Sequence, residues 1–584
     1  MAVGVETEQS RRCRRCRSVN RAGDKYCQQC GASLARRDIT TRYLCAAAQL
    51  DEKFADEAIK EFLVEPFRAV PQTPGVDTTA VLREAVAARA RRRIRDGVLL
   101  GLLLVMLVLN PLWFIAWLVV ATVLAVVTGK LTPTKRGAAI GTVLMVAVVL
   151  PLAGISVIGY ALGTVFGLGS ESPGSELGTA ASSVGAGLGV GVIVVPFVLI
   201  VLMAVVLGAD EFAVHFLVFD RFRTGTFVPN REMSADEQER WLRGLGLDRF
   251  AGPLGDLARV EQELARHPDK VDVVVHRGFS PFVGAGIPLH QQVITLPLEP
   301  ADDDAEPETI NVTGLQDQVS AAMARLRGTS SLGPGRRLED LVLREQVLIP
   351  ADRLVADRAA VPGVLPSLAG RPAPQLDPEA ARHLADASVE WARYYRCYRI
   401  ESWDRDLTTS CYLHVGTNQR MLFLEWQFLA LLPIDPRYRT IDRHRSPVLA
   451  PLRAAAVEWC LLPATVLRRA KTVFRGFKAL QQRPDKIEPA KYGAGRSLRE
   501  LAQAELVQSY FQDVDVERYV RIMDSTLFRA VGAYLQERGY SVVEFTKLAD
   551  PVYNTYDLRG STFVDSAVGS HSSVNKGGKP AKEK

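Results

Sequence analysis

Four cysteines near the N-terminus, Cys13, Cys16, Cys27 and Cys30, stand in two Cys-x-x-Cys pairs with ten residues between the pairs. Each pair makes a chelating knuckle, and four thiolates satisfy the tetrahedral, soft-ligand preference of zinc. So short a segment has too little apolar surface to fold unaided, so metal binding supplies its folding energy. The expected cofactor is one Zn ion, with those four cysteines as the metal ligands. A closed four-thiolate site keeps no open coordination position, which argues against catalysis at the metal. Arg14, Arg15 and Arg17 flank the first knuckle. They leave three roles open, a redox switch, a nucleic-acid contact or a protein-docking module, against a purely structural knob; a structural or docking role is the favoured reading.

The remaining residues with chemical potential form no recognisable motif. There is no GxSxG elbow, no HExxH, no phosphate-binding Walker loop and no kinase set, so the catalytic residues are unknown. His276, His290, Asp404, Asp406, His414 and Glu425 are isolated along the chain, and nothing in their spacing demands that they meet. The loop Gly278-Phe279-Ser280-Pro281-Phe282-Val283-Gly284-Ala285-Gly286 follows an expected strand. Its glycines would let backbone N–H groups approach a phosphate, but no lysine follows and two phenylalanines suggest packing, so it reads as a structural turn. Asp302 to Glu306 is an acidic run that reads as a solvated loop. Glu211 and His215, at i and i+4, share a helical face and read as a polar boundary where a helix leaves a bilayer.

The elements around these residues divide the chain. Residues 97–129 carry no charged side chain. As a single helix they would be about 50 Å long, well beyond the roughly 30 Å hydrocarbon core. Asn110-Pro111 breaks the run. A hairpin of two short helices results, with a re-entrant loop as the alternative. Further uncharged runs extend from 137 to about 169 and from about 189 to 209, and Pro151 and Pro196 read as kinks that neighbouring helices can tolerate. The expectation is an α-helical transmembrane block of about four segments, at 97–110, 112–129, 137–165 and 189–209. Arg89 to Arg95, Lys130, Lys135, Arg136, Arg221 and Arg223 flank the runs, which places both termini in the cytoplasm of a multi-pass protein of the inner (plasma) membrane.

Outside the block, residues 41–96 read as a helical connector with an apolar stripe of Leu44, Leu50, Phe54, Ile59, Phe62 and Leu63 and a basic juxtamembrane end. Residues 210–550 mix helix and strand periods and read as an α+β cytoplasmic domain. Strands are expected at 271–276 and 291–298, a helix at 315–326, and a hairpin of 410–415 with 421–429 across Gly416-Thr417-Asn418-Gln419. A basic amphipathic helix is expected at 464–481, suited to a headgroup plane, and two further helices at 496–512 and 516–538, with Gly539 as a C-cap. Residues 551–584 read as a mostly disordered tail. The fold class is thus multi-domain: zinc ribbon (1–40), transmembrane block (97–209) and α+β domain.

The 48% hydrophobic content, with 71 basic and 65 acidic residues and a net charge of +6, makes nucleic acid an unfavoured partner. The other four cysteines, Cys45, Cys397, Cys411 and Cys460, are scattered singly, as in a reducing compartment. The stretch Cys27-Gln28-Gln29-Cys30-Gly31 followed by Leu34, with Asn20 between the knuckles, resembles the short zinc-ribbon modules that open many bacterial membrane and signalling proteins, from which Arg14, Arg15 and Arg17 around the first knuckle depart. The order of ribbon, connector, membrane block and large domain resembles uncharacterised multi-pass zinc-ribbon membrane proteins of actinobacteria. That resemblance implies no activity. The expected function is a membrane-anchored scaffold or regulatory protein, engaging cytoplasmic protein partners through the ribbon and the C-terminal domain and holding the lipid bilayer through the apolar block. The alternatives are a membrane-bound enzyme with a site near residues 276–290 and a small transporter.

Overall fold

The computed structural model describes residues 11–12, 19–20, 38–65, 67–71, 73, 75–111, 113–118, 120–121, 176–222, 227, 243, 250–302, 306–328, 338, 340–386, 389–403, 405–442, 448–474 and 488–548. The four expected zinc ligands, the run at 137–165, Pro151, Asp404 and the tail lie outside them. Two short strands, β1 (Arg11–Arg12) and β2 (Val19–Asn20), pair antiparallel on either side of the first knuckle.

The chain divides into two compact units, and neither is contiguous. One comprises Met1–Ala85, Pro229–Thr440 and Ala479–Lys584; the other comprises Val86–Val228 and Ile441–Lys478.

The first unit is built on a seven-stranded sheet of order β4-β9-β8-β7-β5-β3-β6. The strands are β3 (Val271–His276), β4 (Ile287–Pro297), β5 (Leu341–Pro350), β6 (Gln375–Leu376), β7 (Arg393–Ser402), β8 (Leu407–Thr417) and β9 (Met421–Leu431). All neighbours are antiparallel except β3 and β5. Strand alternation separates two faces. On one, Ile294, Leu296, Tyr398, Ile400, Leu413, Leu424, Trp426 and Phe428 meet helices Val312–Arg325 and Tyr510–Glu537 in the main core. Trp426 is fully buried and donates its indole N–H to Asp524 at 2.9 Å, so the largest core side chain leaves no polar group unmet. On the other face, Tyr395, Cys397, Tyr412 and Leu429 are covered by Phe282, Val283 and Ala285 of the glycine loop. That cover stops short of β4 and the far end of β9, where Val293 and Phe423 stay exposed.

The connector helices belong to this unit. Helices α1 (Asp38–Leu50) and α2 (Glu52–Phe62) bury Leu44, Phe54, Ile59 and Phe62, as their stripe predicts, whereas Leu50 is exposed. Asp51 caps α2 by accepting from Lys53 and Phe54 N–H, and its other oxygen accepts from the Tyr438 hydroxyl at 2.7 Å.

The second unit is helical. Helix α3 (Thr78–Leu109) brings its apolar half, 97–109, against α4 (Glu176–Arg221), with Leu99, Leu103 and Met106 packed on Leu199, Met203 and Leu207. Among the described residues, helices Leu449–Cys460 and Val466–Phe474 also belong to it.

The expected block of about four transmembrane segments is overturned here. Among the described residues one helical stretch, Val195–Arg221, is long and apolar enough to cross a membrane, or up to two if the bent pair Leu449–Cys460 and Pro463–Phe474 is taken as a single span. The first unit adds the seven-stranded mixed sheet. The reason is physical. The run at 97–109 is the second half of a helix whose first half is charged. The arginines ahead of it do not simply mark a membrane boundary either: Arg89 and Arg92 are buried, and Arg91 and Arg95, one turn apart, reach Asp210 at 3.4 and 2.9 Å. An uncharged window counts residues without registering which of them share a helix. Pro196 does lie inside α4.

Candidate functional site

The candidate site lies on the sheet face that the glycine loop only partly covers. The β8–β9 hairpin sets His414 directly opposite Glu425, and β4 sets Val293 on Glu425's other side. Cross-strand neighbours of this kind stand about 5 Å apart at Cβ. From β7, Tyr395 donates its hydroxyl to Glu425 Oε1 at 3.1 Å, and Arg393 Nη1 holds Oε2 at 2.8 Å. The Tyr395 ring stands 5.3 Å from the His414 ring. Phe282, from the loop, packs edge-on against Tyr395 at 5.7 Å and tilted against Tyr412 at 4.8 Å, closing one side.

The protonation pattern follows from the partners. His414 Nδ1 lies 3.0 Å from the Tyr394 carbonyl oxygen, which can only accept, so Nδ1 carries the proton and Nε2 is left with its lone pair. Burial pushes the His414 pKa down, opposed by that carbonyl and by Glu425, so the neutral imidazole dominates near neutral pH. Burial pushes the Tyr395 hydroxyl up, and Glu425 adds to the shift, so the phenol stays a donor. Cys397, beneath Tyr412, is pushed up to about 11 by burial and is no nucleophile at neutral pH. The arrangement can accept a proton at Nε2 and hold a fixed carboxylate beside an exposed aromatic surface.

The loop itself is closed to ligands. Gly284 and Gly286 donate their N–H groups to Glu500 Oε1 at 2.8 and 3.1 Å, while Oε2 accepts from Ser497 N at 2.7 Å in a capping box at Leu498–Ala502. The chain's own carboxylate fills the anion cradle that these glycines could form. Burial raises the Glu500 pKa, and the same hydrogen bonds oppose the rise. Phe279, at the tip, is fully exposed.

Of the isolated residues considered from sequence, those described are His276, His290, Asp406, His414 and Glu425, and among them the structure brings together His414 and Glu425. His276 ends β3 and bridges to Ala494. His290 faces the opposite side of the sheet, 3.1 Å from Gln292 and stacked on Phe428. Asp406 accepts from Ile434 N at 3.1 Å and pairs with Arg439. Glu211 and His215 lie on α4 in the second unit, and of the acidic run the structure describes Asp302 and Glu306. Sequence reasoning missed Arg393 and Tyr395, because β7 reaches the hairpin only through sheet pairing. Among the described residues no group of three or more His, Cys, Asp or Glu could hold a metal ion.

Fold and site define a mixed α/β domain with one partly open sheet face. Residues 291–575, just under half of the chain, are similar to the family described as the AbeC-like domain. That stretch contains Arg393, Tyr395, His414 and Glu425, and begins after Phe282. No curated protein and no solved structure matches.

Proposed function

We propose that the protein is a membrane-anchored scaffold or regulatory protein of the plasma membrane, held by its second unit and engaging cytoplasmic partners through a zinc ribbon and the open sheet face. One observation carries this reading: the helices of the second unit turn apolar side chains outward. In α3, Val98, Leu104, Val105 and Val108 are exposed, and in α4 so are Phe197, Val198, Val201, Leu202 and Val205, although both helices already bury an apolar face against each other. Soluble proteins rarely expose contiguous apolar patches beyond a few hundred Å², and each such side chain gains roughly 1.5–3 kcal/mol on leaving water. Residues 97–109 and 195–209 contain no charged side chain.

For the partner-binding role, Val293 and Phe423 are exposed beside the Arg393–Glu425 pair, an apolar anchor flanked by charges that suits an interface centre. The enzyme reading at residues 276–290 draws no support from a loop whose donors are spent on Glu500. For zinc, Cys13, Cys16, Cys27 and Cys30 have the right donor chemistry.

The test is extraction of native membranes. The full chain is expected to stay in the pellet through high salt and alkaline carbonate and to be released by detergent. Release by carbonate would refute the anchoring.

A further inference from the structure

The second unit takes in two stretches of chain, Val86–Val228 and Ile441–Lys478. Neither described helix of the later stretch is long enough to cross a bilayer alone. The two have 12 and 9 residues, about 18 and 14 Å at 1.5 Å per residue, against roughly 30 Å of hydrocarbon, and the pair is bent by 71°.

We propose that residues 448–474 form a non-crossing element that lies at the headgroup level and recognises anionic phospholipid through Arg468 and Lys471. This rests on the anchoring proposed above and names the lipid class. One face of the element is tied inward. Arg469 is buried in ion pairs with Asp96 and with Glu458, the latter at 3.3 Å, and Arg93 donates to the Val473 carbonyl at 3.2 Å. Trp459 donates to the Ile200 carbonyl at 3.3 Å, and its ring lies 5.6 Å from Trp117.

The opposite face has a different composition. Leu467 and Phe474 are 77% and 80% exposed, at i and i+7, with exposed Lys471 between them and exposed Arg468 adjacent. Val448, Leu449, Leu452 and Arg453 continue that mixture on the preceding helix. Neither water nor a dry protein interface suits this interleaving. A bilayer surface takes the apolar side chains below the phosphates and the cations at their level. The ion-pair cluster adds a registration mark: Asp96 immediately precedes the uncharged run of α3 and Asp210 immediately follows that of α4, and Arg95 joins both. The polar boundary plane of the unit therefore passes through the cluster that also holds Arg469.

The test uses the full chain carrying Phe474→Cys labelled with bimane, with the parent chain taken through the same labelling as background, in vesicles of phosphatidylcholine alone or with phosphatidylglycerol added. Flotation reports anchoring, and quenching reports the element. The expected result is flotation with both vesicles, with quenching by doxyl-lipid dependent on phosphatidylglycerol and lost in Arg468→Glu/Lys471→Glu. Flotation with quenching by aqueous iodide alone, or by neither quencher, overturns the headgroup contact and leaves the anchoring intact. Flotation only with phosphatidylglycerol overturns the anchoring and supports the contact. Flotation with neither overturns both.

Discussion

Gly286 is the residue on which the wall of the candidate site depends, and its replacement by alanine is a quantitative test of the loop. Its φ is +90°, and a Cβ built there would sit 2.2 Å from the Ala430 carbonyl oxygen and 2.5 Å from Leu431 Cα, both backbone atoms of β9 that cannot rotate away. The left-handed backbone costs an alanine about 1–2 kcal/mol, and forcing the loop off the strand adds about 1–3 kcal/mol. The displaced loop also withdraws N–H groups from the buried Glu500 carboxylate, at about 1–3 kcal/mol for an unmet polar group. Together these come to roughly 3–8 kcal/mol. Gly278 provides the control, since its φ of +85° is similar but the space around it is open, so Gly278→Ala should cost only about 1–2 kcal/mol. Denaturant unfolding of the two variants, followed by tryptophan fluorescence, to which the buried Trp426 contributes, measures the difference. Equal midpoints would refute the claim that steric contact with β9, rather than backbone conformation, demands glycine at 286.

Three further outcomes are expected. The His414 pKa is depressed in the folded chain, so the unfolded chain binds the extra proton; the stabilisation is present above about pH 6.5 and is lost as pH falls through the folded value, and His414→Gln should flatten that part of the stability–pH curve. His276, depressed by burial as well, should keep a residual slope. Asp96→Leu strands the buried Arg469 and should cost about 3–5 kcal/mol, whereas Asp96→Leu with Arg469→Met should recover most of it; thermal melting in detergent would show no recovery if the pair were merely adjacent. Metal analysis of the purified chain should find one zinc, lost in Cys13→Ser/Cys16→Ser; a metal-free parent would refute the ribbon.

How far the sequence was legible depended on whether a feature was local. The strand Val271–His276 and the hairpin could be read, because apolar alternation and the turn Gly416 to Gln419 are local signals; Asn418 caps the turn by accepting from Met421 N–H at 2.7 Å, and Gln419 takes a positive φ. The turn as read, Gly416 to Gln419, would set His414 opposite residue 421 or 422; in the structure the strands pair as far as Thr417 with Leu422, and that longer ladder is what puts His414 opposite Glu425. Arg393 and Tyr395 were out of reach, since nothing local says that β7 lies beside β8. Asp513 to Asp515 looked like a break between two helices. The structure instead runs one helix through them, Tyr510–Glu537, capped by Ser509, with Asp513 in the first turn where the helix dipole favours an acid. The apolar runs misled for another reason: hydropathy reports which residues avoid water, not how many times the chain crosses a membrane.

The three-part assembly of the first unit also sets a timetable for synthesis. The Glu61 carboxylate receives the Gly495 N–H at 2.7 Å across a separation of 434 residues. At about 5–20 residues per second, α1 and α2 wait on the order of 20–90 s for that partner, with the whole apolar unit emerging from the ribosome in between. For that interval the stripe Leu44, Phe54, Ile59 and Phe62 has no sheet domain to pack on, which makes the newborn N-terminal segment a natural client for chaperones.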